Sequence, residues 1–222
     1  MKTVAENLLG RALVSGDGFD LSEIAQVEHS LGLRFPNPLK QLWHLVGRLP
    51  MFMSSFEVFL QPSAVFIEDD YLIFQEENQS VCYWGIKCSE IENSDANVYQ
   101  CINDDADSPE WYSENISLSA FLKMLMYYQC AQGGYQFGGV VYYSDFKSKD
   151  DYRQFLINTT ASWLKVVEHR IESNGLAIYL KGTNLIWHFT DQNGDIDDTI
   201  YVSSLTLDGF KRLEKEYGFC EL

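Results

Sequence analysis

Two short stretches concentrate the side chains that could do chemistry in this 222-residue chain. Glu76-Glu77-Asn78-Gln79 sets two carboxylates beside two amides, and Asp104, Asp105, Asp107 and Glu110 repeat the theme a little further on. Paired carboxylates can serve as general acid and base when their surroundings push their proton affinities apart. Neighbours in sequence, however, point to different sides or stay solvated. These pairs therefore predict contact with a positively charged surface rather than proton transfer. Other routes to catalysis have less behind them. Asp191, Asn193, Asp195, Asp197 and Asp198 alternate oxygen donors as a calcium loop does, yet glycine falls at the fourth position and Val202 stands where a bidentate glutamate belongs. The histidines (29, 44, 169 and 188) lie far apart, and the five cysteines form no CxxC pair. GxSxG, P-loop and GxGxxG patterns are all missing. The expectation is a non-enzymatic binding protein with no metal and no cofactor.

Charge says what it would bind. The net charge is −16, which argues against nucleic acid or an anionic membrane as the direct partner. Between Glu57 and Glu114 there are fourteen acids and a single base, Lys87. Such a stretch keeps a surface solvated, and it also steers a basic protein towards itself. At 46% hydrophobic the chain can bury a core, and no apolar run approaches the length of a membrane span. The N-terminus lacks a signal peptide's apolar segment, and an odd cysteine count fits reduced, buried thiols. A cytoplasmic protein is expected; the oligomeric state stays open.

The acids need elements to position them. Tyr71–Gln75 and Val81–Ile86 read as strands, and the polar Glu76–Ser80 between them reads as a hairpin loop whose carboxylates project outward. Alternation puts Cys82, Trp84 and Ile86 on the core face and Val81, Tyr83 and Gly85 on the other. Trp84, Trp111, Tyr71, Tyr83 and Tyr99 could stack on a partner but read more simply as packing. Upstream, a short helix over the first residues gives way to SGDG. Asp20 with Glu23 then caps a helix bearing Leu21, Ile24, Val27 and Leu31, which Gly32 stops. Asn37-Pro38 opens a second helix with the stripe Leu39, Leu42, Trp43 and Val46, ended by Gly47. Strands are expected over 52–60, 64–67 and 98–102. Ser117 is expected to cap a helix from Leu118 to about Gln132. Further on, 150–157 reads as helix and 163–168, 176–181, 185–190 and 199–203 as strands, with turns at Asn174-Gly175 and Asn193-Gly194. Thr206 caps a last helix that Gly218 stops. The fold class is α+β, a mainly antiparallel sheet flanked by helices and extended by a C-terminal hairpin-rich segment and a terminal helix. Residues 1–19 form an N-terminal helix or arm, 20–134 one domain, and 135–222 either an extension or a second small domain. Gly133–Phe146 is the linker or seam.

A family resemblance emerges from these residues. Phe74, Glu76-Glu77-Asn78-Gln79 and Trp84-Gly85-Ile86 resemble the central signature of the SUKH superfamily. Glu28, Leu31-Gly32, Phe35-Pro36 and Gly47 match its entry helices, although Arg48-Leu49-Pro50 departs from the pattern. A strand, an acidic loop with Trp111 and a following helix complete the likeness, which covers residues 20–134. The superfamily contains bacterial toxin-immunity proteins and fungal cell-wall-synthesis regulators. The resemblance implies an immunity protein that neutralises a toxin domain, a nuclease suiting the charge best, by filling its basic groove. The alternative it leaves open is a protein-binding adaptor or regulatory scaffold. Glu76, Glu77, Asn78, Gln79, Asp104, Asp105, Asp107 and Glu110 are the expected contact residues.

Overall fold

A computed structural model describes residues 1–93, 95–102, 110–171 and 174–222. The chain is α+β, with antiparallel sheets in two compact units. Met1–Ala5 and Ala12–Gln129 make the first unit, and Glu6–Arg11 and Cys130–Leu222 the second.

The first unit opens with helix α1 (Lys2–Leu9), whose second half is counted with the other unit. Helix α2 (Leu21–Leu31) begins as expected: Glu23 accepts the Asp20 N–H at 2.8 Å in a capping box, and Gly32 ends it at φ +67°. Glu28 then accepts both the Phe35 N–H at 2.6 Å and Lys40 Nζ at 3.2 Å. That pair of bonds ties the loop to helix α3 (Asn37–Val46). Arg48 forks onto both oxygens of Glu23 at 2.8 and 2.9 Å and lies over the Phe19 ring. It joins the end of one helix to the start of the other. Leu39, Leu42, Trp43 and Val46 are buried, and the Trp43 indole donates to the Leu60 carbonyl at 2.9 Å.

The strands that follow are shorter than expected. Pro50, suited to a first helical position, starts a helical turn α4 (Pro50–Met53), so extended structure begins only at β1 (Val58–Phe59). Strand β2 is Phe66–Glu68, β3 Tyr71–Glu76, β4 Cys82–Lys87, β5 Asn97–Ile102 and β6 Trp111–Ser117. They pair antiparallel in the order β1-β3-β4-β5-β6, with β2 also on β3. Strand β6 was not foreseen; it carries Ser117, expected as a helix cap, as its last residue. Helix α5 (Leu118–Gln129) is capped instead by Asp95, which accepts both the Ser119 N–H and hydroxyl at 2.7 Å. Leu118, Phe121, Leu122 and Leu125 of α5 are buried, as are Leu72, Phe74 and Ile86 of the sheet.

In the second unit a π-helical turn, Cys130–Gly134, follows α5. The segment read as linker or seam holds β7 (Phe137–Tyr142). Its glycines permit close packing: a Cβ at Gly139 would stand 2.6 Å from the Cys220 carbonyl oxygen and 2.8 Å from the Phe210 ring. Helix α6 is Lys149–Thr160, β8 Leu164–Ile171, β9 Asn174–Lys181, β10 Asn184–Thr190, β11 Ile196–Ser204, α7 Leu207–Tyr217 and β12 Cys220–Glu221. The sheet order is β12-β7-β11-β10-β9-β8. Asn174 and Gly175 pair with Ile171 and Arg170 within the sheet, so they are strand rather than turn. Gly182, at φ +60°, turns β9 into β10. Thr206 and Gly218 bound α7 as their types predict. Tyr152, Leu156, Ile186, Ile200, Val202 and Phe210 form the core.

Candidate functional site

Hairpins β3–β4 and β5–β6 flank the β4–β5 pairing, in which Cys82 opposes Ile102. The strand ends Glu76, Cys82, Ile102 and Trp111 therefore lie at the same end of the first unit's sheet. Of the expected contact residues, the described ones lie at or beside this end, but not all present themselves as predicted. Glu76 is the last residue of β3, half-buried and paired with Val58 and Tyr83, so it belongs to the sheet rather than the loop. Glu77 does not project. Its Oε2 accepts the N–H groups of Gln79 at 3.0 Å and Val81 at 3.2 Å, donors that a tight loop leaves without ladder partners. Ser80, at φ +59°, completes the turn with its N–H on the Glu77 carbonyl. Asn78 and Gln79 are exposed. Glu110 is exposed and accepts the Tyr112 hydroxyl. Asp104, Asp105 and Asp107 lie outside the described residues.

Sequence reasoning missed the acid beneath the loop. Glu57, only 7% exposed, accepts the Asn78 N–H at 3.0 Å through Oε2. Burial raises its carboxyl from the ordinary 4.5 to about 7; the Asn78 bond opposes this and the Glu77 charge adds to it. Its backbone is held by Gln129 of α5, whose Oε1 accepts the Phe56 and Glu57 N–H groups at 2.8 and 3.2 Å. The Gln129 amide nitrogen donates to the Glu57 carbonyl at 2.6 Å. A second missed acid, Glu114 on β6, is 3% exposed and accepts the Trp84 indole N–H at 2.7 Å. Burial pushes its carboxyl up, while that bond pulls it down. The available signal was a lone acid inside an apolar or aromatic run, Phe-Glu-Val for Glu57. Cys82 lies in the fields of Glu77, Glu57 and Glu114, and its thiol is raised chiefly by burial.

The aromatic residues divide by face. Trp84 turns to the helices, 6.5 Å from the Phe121 ring, and Ile86 is fully buried. On the other face Trp111 stacks on Tyr71 at 3.8 Å, Tyr71 meets Tyr99 edge-on, and Lys87 lies 4.7 Å from the Tyr99 ring. These rings pack against one another. The rejected calcium-like loop is occupied by its own bonds: Asp191 accepts the Asn193 and Asp195 N–H groups, and Asp195 pairs with Lys149 and Arg153. Among the described residues no cluster of histidine, cysteine and acid could hold a metal ion, and no helix is long and apolar enough to cross a membrane.

No family model, curated protein or solved structure matches the chain.

Proposed function

We propose that this protein is a non-enzymatic cytoplasmic immunity protein of the SUKH type. It binds a basic toxin domain, a nuclease being the class best suited to its charge, and blocks that domain's active-site groove with the acidic end of the first unit's sheet. The observation that carries the reading is that the β3–β4 loop and the described ends of β5 and β6 share one end of the sheet, where Glu76, Glu77 and Glu110 lie, with Glu57 and Glu114 buried in the same unit. Like charges held on a preorganised frame lose little freedom when a cationic groove closes over them, and their field speeds encounter. Glu77 has a positioning role, because its carboxylate is committed to the loop backbone. Glu76, Asn78, Gln79 and Glu110, with Asp104, Asp105 and Asp107 of the same connection, supply the contacts.

Co-expression with candidate toxin domains tests this. The chain is expected to restore growth, and the variant carrying Glu76, Asp104, Asp105 and Glu110 all changed to lysine is expected to lose protection while keeping its circular dichroism spectrum. Full protection by that variant would refute the proposed surface.

A further inference from the structure

The helix-covered face of the first unit's sheet contains hydrogen-bonding groups left unused. Gln75 is fully buried, and among the described residues neither its amide oxygen nor its amide nitrogen has a partner. Glu114 gives Oε1 to the Trp84 indole and leaves buried Oε2 without one. Buried amides and carboxyls left unpaired are destabilising, so their retention calls for an occupant.

Register places these groups together. Gln75 is the cross-strand partner of Trp84, and Trp84 of Gln100. A bulge between Ile73 and Gln75 brings both Phe74 and Gln75 opposite Trp84, on the face that meets Phe121. A second irregularity, where Asn97 pairs with Ser117 but Tyr99 with Ser113, sets Glu114 beside the Trp84 ring. Cys82, Trp84 and Gln100 on this face are half-buried, and Cys82 stands at the hairpin end opposite Ile102. The charges of Glu57 and Glu77 are felt at Cys82.

We propose that this is a socket for a guanidinium group, an arginine side chain of the protein partner. The arginine enters at the acidic end, stacks on Trp84 and donates to Glu114 Oε2 and Gln75 Oε1. Three carboxylates exclude an anion. A planar cation with five donors and weak hydration suits separated acceptors beside an indole better than a lysine ammonium does. The inference rests on the acidic end being the partner-facing surface, and it adds which residue type that partner must insert.

The test uses the full 15N-labelled chain and N-acetyl-arginine amide as the probe. The Trp84 indole N–H signal, assigned through Trp84→Phe, is expected to shift saturably. Gln75→Met and Glu114→Gln, both close in shape to the originals, are expected to weaken the probe at least about tenfold. Glu110→Lys is expected to leave probe affinity within about twofold while lowering protection against toxin. The socket is overturned if the probe causes no saturable shift, if N-acetyl-lysine amide binds equally well, or if both near-isosteric variants respond like the parent. A Gln75→Met chain that only melts higher, with no probe response in the parent, would mean that buried water fills the place. Protection assays would then still judge the acidic surface on its own.

Discussion

Glu57 shows how one side chain can couple the loop to pH. Its carboxyl titrates near 7 in the folded chain against an ordinary 4.5, so the native state holds the proton more tightly than the unfolded state does. The stability it contributes is full below pH 4.5 and falls as pH rises through 7. Glu57→Gln keeps an acceptor for the Asn78 N–H and removes the charge. Urea denaturation at a series of pH values is expected to show the variant gaining on the parent between pH 5 and 8, by on the order of 1–2 kcal/mol. Parallel pH curves would show that the loop N–H groups stabilise the ionised form fully. His188 has the opposite sign: burial pushes its imidazole down, so its contribution is full above pH 6.5 and is lost as pH falls. It lies on the second unit's sheet, leaving the acidic loop to Glu57.

Between elements, Gln129 does most to hold the acidic end in place. Its amide binds the backbone of 56 and 57 at three points, linking the last residue of α5 to the approach to β1. Replacing it with leucine leaves a buried N–H, a part-buried N–H and a buried carbonyl unpaired, a cost of about 2–4 kcal/mol. Thermal melting is expected to fall by several degrees, and hydrogen exchange at Asn78 to quicken, because Glu57 loses its anchor. Unchanged exchange at Asn78 would show that the loop is fixed from within. The same scale explains why β7 escaped sequence reading. Glycine pairs look like punctuation, but at Gly139 the absence of a side chain lets β12 and α7 approach the strand.

For the molecule as a whole the governing quantity is the field of a chain with net charge −16. Exposed charges act on a partner over about 8–10 Å before salt screens them. The association rate with a cognate basic domain is therefore expected to drop at least about tenfold between low and high salt, with dissociation changing far less. Stopped-flow measurement over a salt series would check this, and a flat association rate would move the contact to an apolar surface. The second unit has its own sheet and core, and its charged loop at Asp191–Asp195 is spent on internal bonds.

Much of the molecule was written locally. Asp20 with Glu23, the proline opening α3, Thr206 and Gly218 act through bonds to near neighbours, so their positions can be read from the chain. So can the excess of acid from Glu57 to Glu114, and the outward or inward facing of Tyr83 and Trp84, which follows from strand alternation. Strand β6 and the sheet role of β7 could not be read that way, because both depend on pairing with distant partners. The same holds for the burial of Glu57 and Glu114, the inward turn of Glu77 and the unpaired amide of Gln75. Each is fixed by which strands lie alongside, where a bulge falls and what α5 covers. Composition supplies the charge of the acidic end; only tertiary packing decides which carboxylates are exposed and which are held beneath the surface.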